Sequence, residues 1–384
     1  MGFSIWDLVK GIATPRQVGA RNDKKWAGTS PAPTNECSGE VYPSLINQKL
    51  RMAERACFGL TIRSIIDYLY RKEESMPDYA FFHKQFMPLP EAKIGILTHA
   101  LHYGTACFEG IRGNWDSAQE RFCIFRIKDH YKRMFDSCRL LKMNLPYSID
   151  EFCQLTGELL VRSGYQEDVY IRPLAYKSSE AIGVRLHNLE EDVFIIVTTL
   201  PPYLDIENGV RCCTSSWRRV DDTMIPPRGK ICGIYVNSAL AKSEAQETGF
   251  DEAILLTQDG HVCEGSGENI FLVSGGKLLT PPSSDNILLG ITRDTVMKLA
   301  KNELGIDTIE RQVDRSELYV ADECFFTGTA ANIAPILEID HRPIGTGGTG
   351  KVTAKLQKLF AKVMLGRNPK YSDWYHIVSP KAPI

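Results

Sequence analysis

Lys230, Tyr235 and Glu264 fall within one stretch, Lys230 to Phe271, and their types suit one chemistry. A lysine amine condenses with a carbonyl cofactor as a Schiff base. A carboxylate holds a pyridine nitrogen protonated, which makes the ring an electron sink. Val236–Thr248 is rich in Ala, Leu, Glu and Lys, good helix formers, and Gly249 stands just past its end as a stop. Glu252–Thr257 reads as a buried strand, Gln258–Gly260 as a turn and His261–Glu264 as the return strand. That path carries Glu264 back beside the segment holding Lys230. Taken singly, either residue is ordinarily a solvated surface charge. Their surroundings are what single them out.

The wider run contains Asp221-Asp222, Ile225-Pro226, Lys230, Gly233-x-Tyr235-x-Asn237-Ser238 and Glu244-Ala245, followed by Glu264-Gly265-x-Gly267-Glu268-Asn269. It resembles the branched-chain aminotransferases, pyridoxal-phosphate enzymes of fold type IV in the class IV aminotransferases. The Gly-x-Tyr-x-Asn-Ser run is closer to these than to their D-amino-acid aminotransferase or aminodeoxychorismate lyase relatives. The resemblance spans residues 76–384, roughly four-fifths of the chain. It implies an α+β fold, with a small N-terminal α/β domain and a larger C-terminal domain with a β-barrel-like core. It also implies pyridoxal 5'-phosphate as cofactor, with Lys230 as the catalytic Schiff-base residue, Glu264 at the ring nitrogen and Tyr235 at the ring's phenolic oxygen.

The same resemblance assigns roles along the chain. His99-Ala100-Leu101-His102-Tyr103-Gly104 and Phe108-Glu109-Gly110-Ile111-Arg112 match the family's small-domain signature, in which Tyr103 and Phe108 line the substrate side-chain pocket. Arg133, on a helix expected over Asp129–Lys142, matches the phosphate-binding arginine, and a planar guanidinium suits two phosphate oxygens at once. Tyr170 and Arg172 alternate onto one face of the strand Val169–Leu174. In the family the tyrosine serves the α-carboxylate and the arginine serves glutamate's distal carboxylate. Tyr203 stands where relatives often carry a tryptophan and a longer loop. The helix start at Gly290-Ile291-Thr292 offers free amides and a hydroxyl to an anion. The small-residue loop Phe326–Ala331 would give the Thr329 hydroxyl to the phosphate and the Ala330 amide to the substrate carboxylate.

Around these sites the pattern predicts strands at Tyr79–Phe82, Ala92–Leu97, Phe122–Ile127 and Phe194–Thr199, with a turn at Phe86–Pro90. Further strands are expected at Asn269–Val273 and Lys277–Thr280. Helices are expected over Ile149–Ser163, from Thr292 onward and over Val352–Leu365, with a capping box at Asp314–Glu317. The organisation reads as an extension of unknown role over 1–75, a small domain over 76–199, a connection over 200–209 stiffened by Pro201-Pro202, and a large cofactor-binding domain over 210–384. Within the extension Leu45–Tyr70 has the spacing of an amphipathic helix. The C-terminal tail suggests no element.

Composition excludes several classes. The 45 basic and 47 acidic side chains give a net charge of −2, which offers no electrostatic case for nucleic acid or an anionic membrane. No run of about 18 apolar residues announces a transmembrane helix, and the start lacks a secretory apolar segment. Eleven cysteines without a C-x-x-C pair read as reduced thiols in a cytoplasmic protein, with neither a disulfide framework nor a metal site.

The resulting expectation is transamination of leucine, isoleucine and valine with 2-oxoglutarate, in branched-chain amino-acid biosynthesis, by a homodimer or higher homo-oligomer. Alternatives on the same fold are a D-amino-acid aminotransferase or an aminodeoxychorismate lyase. A non-catalytic cofactor-binding scaffold fits poorly with both Lys230 and Glu264 present. A first prediction concerns residues 1–75, whose early part holds too few apolar side chains to offset chain entropy of about 1–2 kcal/mol per residue. A fragment of residues 76–384 should fold, bind the cofactor and transaminate like the full chain. An insoluble or inactive fragment beside an active full chain would make the extension part of the fold.

Overall fold

The first hairpin shows where local chemistry and sequence signal part company. β1 (Tyr79–Phe82) and β2 (Gln85–Pro88) pair antiparallel across His83-Lys84. Both turn residues have positive φ, 49° and 63°, the twist that a two-residue hairpin requires. Neither residue type advertises that conformation, so the turn lies upstream of the Phe86–Pro90 expected for it. The strand expected over Ala92–Leu97 is not formed. That stretch is irregular until Thr98 bridges Glu180, and Ile94, Ile96 and Leu97 stay exposed because no sheet covers them.

The computed structural model describes residues 78–199 and 203–380. The expectations for residues 1–75, for the helix over 45–70 and for Pro201-Pro202 lie outside them. All described residues belong to one compact unit, which holds two sheets.

In the first sheet, β1 and β2 join β3 (Ala106–Phe108), β4 (Ile111–Asp116), β5 (Arg121–Phe125), β6 (Val169–Lys177), β7 (Glu191–Thr198) and the C-terminal β17 (Tyr375–Val378). The order is β17-β5-β4-β6-β7-β1-β2, with β3 also paired to β6. A short helix, α1 (His99–Tyr103), precedes β3. Two longer helices, α2 (Ile127–Leu140) and α3 (Ile149–Ser163), pack together on this sheet. α3 has the bounds expected from its pattern. A capping box between Ser148 and Glu151 starts it, and Gly164 in the left-handed region ends it. Phe122, Ile124, Tyr131, Phe152, Ile171 and Ile195 fill the space between. Each such side chain contributes about 1.5–3 kcal/mol on leaving water.

The second sheet comprises β8 (Val210–Arg218), β9 (Glu252–Leu256), β10 (Val262–Gly265), β11 (Asn269–Ser274), β12 (Lys277–Thr280), β13 (Thr308–Glu310), β14 (Glu323–Gly328), β15 (Asn332–Ile339) and β16 (Arg342–Pro343). It runs β10-β9-β8-β15-β14-β11-β12-β13, with β16 on β15. The break between the sheets falls between Thr198 and Val210. Because β8 and β9 are parallel, a crossover must join them. That crossover contains Lys230 and α4 (Tyr235–Glu247), which packs on both strands. α5 (Ile291–Leu304) and α7 (Lys351–Met364) cover β14. α6 (Arg315–Val320) opens on the expected capping box of Asp314 and Glu317.

The C-terminal tail, without a predicted element, forms a 3-10 turn (Pro369–Trp374) and then β17, which returns to the first sheet beside β5. A buried strut crosses at the same place. Arg126 donates to Asp129, Asp294, Thr295 and the Ile291 carbonyl, and its guanidinium lies 5.2 Å from the Trp374 ring centroid. It thereby fixes the start of α5 against the first sheet. Among the described residues no helix is long and apolar enough to cross a membrane, no cluster could hold a metal ion, and the cysteines are free thiols.

Candidate active site

Lys230 belongs by sequence to the crossover of the second sheet, but its backbone is bound to the first. Its N–H donates to Ser137 Oγ of α2 at 3.0 Å, and its carbonyl accepts from the Phe108 N–H of β3 at 3.0 Å. Ile231 bridges Cys107 on the same strand, and the backbones of Gly104 and Gly233 meet with a 3.2 Å hydrogen bond. The side chain, half-buried, reaches into a cavity of about 470 Å³. There Nζ donates to the Tyr235 hydroxyl at 2.7 Å and lies 4.9 Å from the Phe108 ring centroid. No carboxylate pairs with this ammonium among the described residues.

A bulge delivers Glu264. Along the β9–β10 pair the register shifts between Val262 and Glu264, so Cys263 is the extra residue, and such a bulge re-aims the side chain that follows it. Glu264 is 4% exposed. Its Oε1 pairs with Arg219 at 2.9 Å, and its Oε2 accepts from Asn269 Nδ2 at 2.9 Å and from the Leu288 N–H at 3.1 Å. Burial pushes this carboxyl up, and Arg219 opposes the shift. Arg219, at the end of β8, is equally buried and leaves its Nε without a partner.

The anion cradle forms where α5 begins. Gly290 is its N-cap, and a Cβ there would strike Asn269 Oδ1, so the residue must be small. The Ile291 and Thr292 amides then stand at a helix start, where free N–H groups favour an anion. Thr292, Thr329 and Arg133 all line the cavity. Arg133 is already engaged on its far side by the fully buried Glu109, Nε to Oε1 and Nη2 to Oε2 at 2.7 Å each, while Nη1 donates to the Leu289 carbonyl at 2.9 Å. Burial works against the guanidinium charge and Glu109 outweighs it, so the net direction is up. Burial likewise works against the Glu109 charge, and Arg133 overcomes it, holding this carboxyl well below the usual range.

The remaining wall is aromatic and cationic. Arg172 donates to the Tyr170 hydroxyl at 2.8 Å and stacks 4.3 Å from the Phe108 ring centroid. Phe108 in turn lies 4.8 Å from the Tyr235 ring. Gly110 gives Tyr170 room, since a Cβ would collide with its hydroxyl. Tyr203 and Ala330 close the edge. Every site residue read from the sequence lines this one cavity except Tyr103. The Tyr103 hydroxyl instead accepts from the Gly183 N–H at 3.0 Å, beside His99.

The cavity therefore joins an amine, a buried carboxylate and an anion cradle. The buried Thr327 hydroxyl has no partner, and beside Gly267 an added Cβ would meet nothing nearer than the Tyr203 hydroxyl at 3.8 Å. These residues fit the aldehyde, ring nitrogen and phosphate of pyridoxal phosphate. Sequence reasoning missed Arg219, Asn269 and Glu109, which touch the named residues from behind. Glu109 and Asn269 sat inside quoted motifs, and their unassigned polarity was the available signal. Arg219 stood in no such pattern.

The chain is similar to known proteins over most of its length. The family model described as amino-transferase class IV matches residues 106–339. The chain is 47% identical over 297 residues to the probable branched-chain-amino-acid aminotransferase of Aquifex aeolicus, covering 77% of this chain and 96% of that one. It is similar to the crystal structure of the branched-chain aminotransferase of Thermoproteus uzoniensis with norvaline, with TM-score 0.76 and 41% identity, covering 79% of this chain and 100% of that one. The PLP-bound holo-form of the Thermobaculum terrenum enzyme matches with TM-score 0.76 and 38% identity, over 79% of this chain and 99% of that one.

One further lining residue generates a prediction. Glu268 is 4% exposed, accepts from the Gly267 N–H at 3.1 Å and has no cation in ion-pair range among the described residues, and Lys242 is held by Glu252 at 2.6 Å. Burial first, and then the neighbouring Glu252, push its carboxyl up to about 8 from an ordinary 4.5. Between those values the folded protein holds a proton that the unfolded chain has lost, so stability falls as pH rises through this window. Glu268→Gln should flatten that decline. Melting temperatures of wild type and variant, measured from pH 5 to 8, should converge at the acid end and separate towards pH 8 in the variant's favour. Parallel curves would show that Glu268 is ionised throughout.

Proposed function

We propose, for a chain that belongs to the branched-chain-amino-acid aminotransferases of the class IV family, that it transfers the amino group of leucine, isoleucine or valine to 2-oxoglutarate. The observation that carries this reading is the single cavity that joins Lys230 and Tyr235 to Glu264 on one side and to Tyr170 and Arg172 on another. Pyridoxal phosphate, when bound, supplies the electron sink that makes the substrate's Cα acidic. Lys230 anchors it and, once released, takes the proton from Cα as a general base. Tyr235, 2.7 Å from the lysine nitrogen, orients that amine. Glu264 holds a proton at the ring nitrogen. Arg133, the Ile291 and Thr292 amides and the Thr329 hydroxyl hold the phosphate.

Substrate selection follows from the wall. Phe108 and the Tyr170 ring offer apolar surface to a branched side chain. Arg172 offers a cation to the second carboxylate of glutamate or 2-oxoglutarate, and the Ala330 amide and Tyr170 hydroxyl serve the carboxylate common to all substrates. Tyr203 bounds the pocket at the connection. No observation favours the D-amino-acid or lyase alternatives.

A homodimer is part of the reading. Ile94, Ile96 and Leu97 before α1, Leu101 within it, and Ile182 and Val184 on a second segment are exposed, and His99 of α1 ties the two segments together, its ring nitrogens bonding Thr105 Oγ1 and the Gly183 carbonyl. Exposed apolar side chains grouped in this way suit a covering partner, and a second copy of this chain is the one proposed. The free thiols support the cytoplasmic location.

Two substitutions test the roles. Lys230→Ala should lose turnover by about four orders of magnitude or more, because covalent and general-base catalysis are each worth on the order of a hundredfold or more. Borohydride reduction and peptide mapping should place the pyridoxyl group on Lys230, and its appearance on another lysine would reject the assignment. Arg172→Ala should weaken 2-oxoglutarate and glutamate roughly tenfold to a hundredfold, the size of a lost charge-assisted pair of about 1.5–3 kcal/mol, and leucine much less. Equal losses in KM for both substrate classes would make Arg172 a ligand of the shared carboxylate.

A further inference from the structure

Arg133 has five N–H groups, and three are used before any ligand arrives. Glu109 takes Nε and one hydrogen of Nη2, and the Leu289 carbonyl takes one hydrogen of Nη1. One N–H on each terminal nitrogen remains. The carboxylate that causes this is 0% exposed. It is backed by His130, whose Nδ1 stands 2.8 Å from Glu109 Oε2 and must therefore carry its proton there. Burial pushes the His130 imidazole down, and Glu109 opposes that shift. The Glu109 backbone is fixed as well, its N–H donating to the Pro173 carbonyl at 2.9 Å. We propose that Glu109, backed by His130, is a positioning residue for the anion subsite, setting the direction in which Arg133 presents its two free N–H groups. This rests on the reading that Arg133 holds the phosphate.

The alternative role for a buried carboxylate here is simple charge balance, and the two roles differ in sign. Glu109 and Arg133 together carry no net charge. If Glu109 only neutralised the arginine, its loss would leave the cradle more positive and bind phosphate more tightly. If Glu109 aims the arginine, its loss frees the guanidinium to turn away, and phosphate binds more weakly despite the added charge. The same logic makes the two residues one unit, so their removals should not multiply.

The test uses the apoprotein, with inorganic phosphate and pyridoxal phosphate as probes, titrated by intrinsic fluorescence. Glu109→Gln should weaken both by about tenfold or more, the size expected of one misdirected charge-assisted hydrogen bond. Glu109→Asp keeps the charge but shortens the reach, and should weaken both by about threefold or more with little change in melting temperature. In an Arg133→Ala background, Glu109→Gln should change affinity by less than about twofold. Tighter or unchanged binding in Glu109→Gln, or losses that multiply in the double variant, would overturn the proposal. Should Glu109→Gln fail to fold, wild-type affinity in Glu109→Asp would overturn it as well. Normal phosphate binding in Arg133→Ala alone would instead reject the phosphate role of Arg133.

Discussion

Two residues of the crossover, Lys230 and Ile231, are tied to β3, and the site depends on that attachment. The crossover belongs to the β8–β9 unit, so the backbone that carries Lys230 is anchored on the second sheet at both ends and on the first sheet in the middle. The lysine is consequently placed by two independent scaffolds. Any sliding of one sheet against the other would break the bonds from Ser137 and Phe108 before it moved the amine. The Gly104–Gly233 contact extends the same seam, and it tolerates no side chain on Gly104, whose Cβ would run into the Gly233 backbone.

Charge is handled in a second layer. Taking an ion out of water costs several kcal/mol unless a counter-charge and hydrogen bonds replace the solvent. Arg133 has Glu109 and Glu264 has Arg219, so these two cavity-lining charges are each paired with an opposite charge that fixes their orientation. The Lys230 amine differs, with only a tyrosine hydroxyl as hydrogen-bond partner among the described residues. An amine that must form and break covalent bonds is better left without a carboxylate that would hold it as an ammonium.

Much of this was legible in the sequence, for identifiable reasons. Helices such as Ile149–Ser163 and Lys351–Met364 carry apolar periodicity and caps, and both signals are local. The Lys230, Glu264 and Thr292 positions sit in motifs whose residue types limit what they can do. The positive-φ turn at His83-Lys84 was not legible, because tertiary context imposes that conformation on residues with no preference for it. β8 reads Val-Arg-Cys-Cys-Thr-Ser-Ser-Trp-Arg without clean alternation, since its neighbours are strands from distant parts of the chain. The roles of the supporting residues Glu109 and Arg219 were not legible for a similar reason. Their meaning lies in the side chain each one faces, not in its place along the chain.

The return of β17 to the first sheet has a consequence for how the molecule is made. β5 is complete by residue 125, yet its outer edge waits for a strand that begins at Tyr375. Through most of synthesis that edge, with Phe122 and Ile124, presents unpaired backbone groups of the kind that recruit other strands. The second sheet, by contrast, has all its strands once residue 343 has emerged. The later-encoded sheet can therefore be finished before the earlier one. The first sheet is sealed by a strand that follows every strand of the second, so a product truncated before Tyr375 would carry a complete second sheet and an open edge on the first.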